Sequence, residues 1–366
     1  MLQRELHYCL PLNRFPMLQS LPNKPQMPPT LSSVYDMFEA EMKKVDEILC
    51  QSFSDDVPFV NEVSQYAFQL GGKRLRPAIT LVSHRAACPG DDPLRSRDKL
   101  MLVATAIEMV HTATLIHDDI LDGALIRRHL PTMHTHWNAG VSVMAGDVIF
   151  TKALDLVTQL DELEPYRALA NACHKTCYGE LRQMGTRNRF DLPVDDYLEI
   201  VTAKTAALIE CSSRMGAWYA GADAQTIEQF RLFGREIGIT FQIVDDVLDL
   251  VGDENTMGKS LGTDILYKKP TLPVLMYLDS LHGDARREAI RQCSQEGTDD
   301  TFVQNLVTAI QSSGAVEAAM AYAENLTNSA AERIRRFAAA NPRSPESQEA
   351  ADALVVIADF VVKRVK

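Results

Sequence analysis

The sequence lacks any C-x-x-C pair: its seven cysteines stand apart at 9, 50, 88, 173, 177, 211 and 293. An odd, scattered set gives neither a disulfide framework nor a zinc knuckle, and it fits a reducing, cytoplasmic compartment. Positive charge is scarce too. Against 49 Asp and Glu the chain carries 37 Lys and Arg, a formal net charge of −12. A nucleic-acid binder carries a basic footprint, so nucleic acid is excluded as the expected partner. No run of alternating apolar and polar residues reads as a strand, which removes the β-rich classes. The N-terminus has no apolar h-region of the kind a signal peptide needs. What remains is an ordinary globular composition, 46% hydrophobic and 23% charged over 366 residues. That length allows one or two domains and excludes disorder over most of the chain.

Residues 1–30 form a separate compositional block. Prolines 11, 16, 22, 25, 28 and 29 are scattered through it without a helical period, so it reads as a flexible Pro-rich extension outside the core. Arg4, Arg14 and Lys24 against Glu5 would suit a transit peptide, but the block is poor in Ser and crowded with proline. From Leu31 to Lys366 the pattern is helical. Apolar residues recur at three-and-four spacing over 31–53, 59–70, 75–88, 94–122, 140–160, 164–184, 194–220, 224–250, 271–281, 284–294, 300–311, 315–340 and 346–366. The expected fold class is all-α, one large helical domain over 31–366. The stretch Leu100 to Ile116 is apolar enough to span a membrane, yet Glu108, His111, Thr112 and Thr114 interrupt it and three aspartates follow. It is expected to be a buried central helix, leaving no transmembrane segment.

Two acidic motifs carry the functional argument. The first is His117-Asp118-Asp119-Ile120-Leu121-Asp122, and the second is Asp245-Asp246-Val247-Leu248-Asp249. In each, the outer aspartates are four apart, so on a helix they share one face. Like charges at that spacing cost about 0.2–0.5 kcal/mol even when solvated, and more in apolar surroundings. A cation between them is expected. Carboxylate oxygens are hard ligands with no His/Cys cluster nearby, so magnesium, completed by substrate phosphates, is the expected ion. A solvated acidic helix end would explain one such motif, but not two with equal spacing in Val, Ile and Leu.

Basic residues supply the other half. Gly71-Gly72-Lys73-Arg74-Leu75-Arg76-Pro77 joins a permissive glycine pair to three cations, and Arg127-Arg128, Lys204-Thr205, Gly258-Lys259 and Lys268-Lys269 follow. Glycines let backbone approach a ligand closely, and Lys and Arg grip phosphate. Such a set can hold two diphosphates, one through metal and one through side chains directly.

GGKRLRP, EMVHTATLIHDDILDGALIRRHLPTMH, KTAALIE and FQIVDDVLDLVGDENTMGKSLGTDILYKKPTLP, in this order, resemble the trans-isoprenyl diphosphate synthases, medium- and long-chain members included. The resemblance covers about residues 31–366. It implies a helical bundle around a central cavity, usually a homodimer, with the two acidic motifs facing each other. Carried over by position, Asp118, Asp119, Asp122, Asp245, Asp246 and Asp249 would bind magnesium, three ions with the allylic diphosphate in place. Lys73, Arg76, His111 and Arg128 would hold isopentenyl diphosphate. Arg127, Lys204, Thr205, Gln242, Lys259 and Lys269 would hold the allylic diphosphate. Asp118, Asp122, Asp245, Lys204 and Arg127 would carry the chemistry. No Ser/His/Asp triad is needed or found, because the double bond of isopentenyl diphosphate is itself the nucleophile. His117 is expected to pack or orient its neighbour, and His129, His134 and His136 to be solvated.

Product length is expected to depend on the same helix. A residue five positions before Asp118 lies roughly 7–8 Å from it along a helix. That residue is Ala113, where short-chain relatives typically place an aromatic floor. A small residue leaves room for a growing tail, so six or more isoprene units are expected, with Met109 and Val110 setting the depth. A short-chain product is the alternative. Two departures from the family pattern stand out: Gly123 where an acidic residue is frequent, and His129 where a glycine is common. The last segment ends in Lys363-Arg364-Val365-Lys366, which complements a helix C-terminus and would also suit transient contact with a membrane receiving the product. A His-Asp phosphohydrolase would use His117 and Asp118, but it leaves the second acidic motif and GGKRLRP unexplained.

Overall fold

Apolar residues at three-and-four spacing fold as helices throughout a computed structural model, which describes residues 29–53, 57–69, 72–89, 96–252, 261–295, 300–341 and 344–364. The N-terminal extension up to residue 28, Gly71, Gly258 and Lys259 lie outside the described residues. The fold is all-α. It comprises two compact units: one of the residues up to 170, 215–223 and 344–350, the other of 171–214, 224–343 and 351 onward.

The first unit opens with α1 (Pro29–Asp36), α2 (Glu39–Gln51), α3 (Pro58–Gln69) and α4 (Leu75–Ala87). The expected single helix over 31–53 is broken where Phe38 leaves helical geometry. Its ring is buried, with the Arg85 guanidinium 4.0 Å above it. The core helix is α5 (Arg97–Leu121), packed on α7 (Ala139–Thr158), α2 and α4. Ile107, Met109, Val110 and Ala113 are wholly buried in it. Among the described helices it alone is long and apolar enough to cross a membrane, and 72% of that window is buried within the protein. That is the signature of a core helix. Asn138 caps α7, its side chain accepting from the Val141 N–H at 2.9 Å.

The end of α5 is set by Gly123, whose φ of +60° is the left-handed conformation that a side chain disfavours. Its N–H donates to the Ile120 carbonyl and that of Ala124 to the Asp119 carbonyl, the paired bonds of a Schellman cap. The cap accounts for glycine at this position. The chain then forms a short antiparallel hairpin, β1 (Ile126–Arg127) with β2 (Leu130–Pro131). No strand was expected, and two residues a side are too few for an alternating pattern to register. The turn residues Arg128 and His129 both have positive φ, 51° and 65°, as a type I′ turn demands. A glycine at 129 would sit there without strain. His129→Gly should therefore stabilise the protein by about 0.5–1 kcal/mol, read as a rise in Tm of roughly 1–2 °C by calorimetry. The short α6 (Met133–His136) follows.

The second unit contains most of α8 (Leu163–Gly185), then α9 (Val194–Val201) and a π-helical turn (Thr202–Ala206) leading into α10 (Ala207–Tyr219). A continuous helix was expected over 194–220, and the π turn inserts one extra residue into it. Two glycines make room for this. A Cβ on Gly179 would lie 2.4 Å from the Lys204 nitrogen, and one on Gly238 2.5 Å from the Ala206 Cα. Next comes α11 (Ala224–Val251), then α12 (Thr263–Leu266), α13 (Leu272–Ser280), α14 (Gly283–Ser294), α15 (Asp300–Ser312), α16 (Ala315–Ala340) and α17 (Pro345–Lys363). Helix α11 packs on α16, and its Ile243, Val244 and Val247 join a core with Leu272, Val274, Ala319 and Ala323.

Candidate functional site

In the first unit, α5 brings its acidic motif to its C-terminal end. The Asp122 N–H closes the last turn on the Asp118 carbonyl at 2.8 Å. Both outer carboxylates thus stand where the helix dipole is negative, about half a charge. Dipole and mutual repulsion combine into a site that favours a cation. Asp119 points elsewhere. It is buried, and Arg127 of the hairpin grips it from Nε at 2.9 Å and Nη2 at 2.7 Å. That bidentate pair ties the hairpin to the helix end. The expected metal set of Asp118, Asp119 and Asp122 therefore divides by environment.

Around the same helix end sits a cationic group. A pocket is lined by Gly72, Glu108, His111, Thr112, Asp119 and Arg127, among others. Desolvation, then the guanidinium groups of Arg76, Arg128, Arg127 and Arg74, hold the His111 imidazole well below its ordinary range. The guanidinium charge that shifts His111 gives this pocket a positive field suited to an anion. Gly72 lets this assemble, since a Cβ there would meet Arg128 Nη2 at 2.7 Å. The Lys73 carbonyl accepts a hydrogen bond from Tyr35. His117, next to Asp118, lies over Gly146, donating from Nε2 to the Val143 carbonyl at 3.2 Å, with Asp147 at 3.6 Å. It pins the end of α5 to α7. His134 bonds with Thr132, and His136 stacks on Tyr66 with ring centroids 4.8 Å apart.

The second unit assembles the other predicted residues. On the π turn, Lys204 Nζ donates to Gln183 Oε1 at 2.7 Å and pairs with Glu180, both on α8. Its neighbour Thr205 donates to Gln242 Oε1 at 2.7 Å, and Gln242 Nε2 donates to Asp246 Oδ1 at 2.8 Å. The other Asp246 oxygen accepts from Tyr197 OH at 2.5 Å. Burial, then the charge of Asp264, pushes the Asp246 carboxyl up, while burial beside Asp246 raises Tyr197. Asp249, also buried, accepts the Asp264 N–H at 3.0 Å. Lys269 lies 3.8 Å from Asp264. Asp245 is half-buried and pairs with Arg364 at 2.8 Å, the guanidinium lying 4.4 Å over Phe241. Arg364 was expected to complement the end of its own helix or to touch a membrane, not to pair with Asp245.

Sequence reasoning missed Tyr197, Glu180 and Gln183. The last two had a signal: Lys204 in a helical segment needs a counter-charge, and Glu180 and Gln183 share a helix face at i, i+3. Tyr197 had none. The product-length candidates Met109, Val110 and Ala113 are fully buried, while neighbouring Thr112, Leu115 and Ile116 line the pocket.

Among the described residues no three His, Cys, Asp or Glu side chains converge. One or two carboxylates with phosphate oxygens completing the shell is the coordination that magnesium favours, so the aspartates present suit it.

Comparison with known proteins shows the family. A short-chain isoprenyl diphosphate synthase of Methanothermobacter thermautotrophicus is 36% identical over 91% of this chain and 99% of its own. An octaprenyl diphosphate synthase of Haemophilus influenzae is 30% identical over 92% and 97%. The crystal structure of a polyprenyl synthase from Caulobacter crescentus, complexed with calcium and isoprenyl diphosphate, superposes with a TM-score of 0.82 at 31% identity, covering 92% of this chain and 98% of that one. The family model for polyprenyl synthetase matches residues 57–310. By the match over residues 57–310 and by these relatives, the chain belongs to the polyprenyl synthetase family and is a prenyltransferase.

Proposed function

We propose that the chain is an all-trans polyprenyl diphosphate synthase. It condenses isopentenyl diphosphate head-to-tail onto an allylic diphosphate to give a product of six or more isoprene units. The observation that carries this reading is the pocket lined by His111, in the positive field of Arg76 and Arg128, on the helix that ends in Asp118 and Asp122. One anion is then held by side chains, beside carboxylates suited to holding another through metal.

Asp118 and Asp122, and in the second unit Asp245, would hold magnesium, which supplies Lewis-acid stabilisation of the departing diphosphate. Asp119, Asp246 and Asp249 act through Arg127, Tyr197, Gln242 and the Asp264 backbone, and orient rather than ligate. The allylic C–O bond breaks heterolytically and leaves its electron pair on the diphosphate. Lys204, Thr205, Gln242 and Lys269 stabilise that developing charge as preorganised donors. Lys73, Arg76, His111 and Arg128 hold isopentenyl diphosphate so that its double bond attacks the allylic cation. A proton then leaves the adjacent carbon and passes to the released diphosphate.

Incubating the purified protein with radiolabelled isopentenyl diphosphate, magnesium and allylic primers, and sizing the dephosphorylated products, tests the reading. Labelled chains of six or more units are expected, and no incorporation with any primer overturns it. The small Ala113 supports the long product, so Ala113→Tyr should shorten it, with chain length unchanged by chromatography as the contrary result. A homodimer is part of the same reading. It is supported by the exposed apolar residues Val143, Met144 and Val148 on α7, up to 60% accessible, and light scattering is expected to give twice the chain mass. The heptaprenyl diphosphate synthase relative of Geobacillus stearothermophilus is named as component 2, so a mass equal to one chain and activity only with an added subunit would favour that arrangement instead.

A further inference from the structure

Between Lys73 and Arg76 lies a residue that the proposed grip on isopentenyl diphosphate does not use. Arg74 turns inward. Its Nη1 donates to Glu108 Oε1 at 3.1 Å and its Nε lies 3.4 Å from Asp46 Oδ1. The three side chains are 12%, 2% and 11% exposed. Its backbone is left-handed, φ 50° and ψ 39°, which costs a side-chain-bearing residue about 1 kcal/mol or more. One residue earlier, Tyr35 of α1 donates to the Lys73 carbonyl.

Stability is a poor account of this arrangement. Buried ion groups rarely outperform apolar packing of the same volume. Here a strained backbone is added, and Glu108 Oε2 is buried with no hydrogen-bond partner among the described residues. Costs concentrated at one point mark a place where geometry is being enforced. Glu108 sits on α5 one turn before His111 and lines the same pocket as His111 and Gly72. The left-handed kink lets the side chains on either side of Arg74 serve another purpose while Arg74 itself is anchored to α5 and α2.

We propose that Arg74 is a positioning residue, locked by Glu108 and Asp46, which with Tyr35 sets the loop that presents Lys73 and Arg76 to the diphosphate of isopentenyl diphosphate. This rests on the reading of Lys73, Arg76 and His111 given above. Arg74 touches no substrate. Its planar fork is what matters, since lysine keeps the charge and loses the two-point grip.

The test compares wild type with Arg74→Lys, Glu108→Gln and Tyr35→Phe, measuring KM for isopentenyl diphosphate and for the allylic primer, kcat, and Tm. The first two variants are expected to raise KM for isopentenyl diphosphate about tenfold or more, and Tyr35→Phe about threefold. In all three, KM for the primer and kcat should stay within threefold. If the ion cluster variants do not fold, Tyr35→Phe, which loses a single hydroxyl, decides. A fall in Tm with KM for isopentenyl diphosphate within twofold of wild type would make the cluster merely structural and overturn the inference. Wild-type protein that transfers no prenyl group would overturn the parent reading, and this one with it. Active wild type with unaltered KM in the variants overturns this one alone.

Discussion

Asp118→Asn is expected to lower prenyl transfer by about a hundred- to a thousandfold, roughly 2.7–4 kcal/mol of transition-state stabilisation, while making the metal-free protein more stable. Both effects have one origin. Asp118 stands one turn from Asp122 at the C-terminal end of α5, where the last N–H bond closes on its own carbonyl. The pair suffers mutual repulsion and the negative end of the helix dipole together. Neutralising one partner relieves about 0.5–1.5 kcal/mol. A divalent cation bound there, as proposed, would relieve the same repulsion in the wild type, so magnesium with inorganic pyrophosphate should raise wild-type Tm and leave the variant's almost unmoved. Calorimetry with and without ligand, alongside radiolabel transfer, checks both halves. A variant that loses activity and also loses metal-free stability would mean that Asp118 belongs to the scaffold.

Lys204→Ala is expected to lower kcat by a comparable factor, about a hundredfold or more. The lysine is held on the π turn by Glu180 and Gln183, and its ammonium would face the charge that builds on the departing diphosphate. Removing it also strands Glu180, whose side chain is only 15% exposed, at a cost of about 1–3 kcal/mol. Stability and catalysis can be separated by a second change. Lys204→Ala combined with Glu180→Gln should recover most of the lost Tm and none of the lost rate. Recovery of activity in the double variant would show that Lys204 serves only to neutralise Glu180.

Much of this architecture is legible from periodicity alone, because a long helix with one buried face repeats its apolar residues at a spacing chance does not imitate. Helices such as α11 and α16 fall where the pattern puts them. The breaks are harder to see. The π turn adds one residue inside an unbroken apolar rhythm, and it packs closely against Gly179 on another helix. The split at Phe38 arises from tertiary packing under Arg85. In the site, residue types pointed to the chemistry, and the spacing of the outer aspartates placed them on one face. What spacing could not show is how the structure divides six similar carboxylates by their partners. That division depends on what comes from elsewhere in the chain: Arg127 for Asp119, Tyr197 for Asp246, the Asp264 N–H for Asp249. His129 shows the reverse case, a departure visible in the sequence whose meaning appears only with its φ of 65°.

The two glycines flanking the π turn also bear on any attempt to redesign this catalyst for tails of another size. Gly179 and Gly238 meet main-chain or Cα atoms of Lys204 and Ala206 at distances no methyl group tolerates, so a side chain at either one would displace the π turn. A library that freezes both and spends its diversity at Met109, Val110 and Ala113 leaves the π turn intact while the residues proposed to set product length are varied.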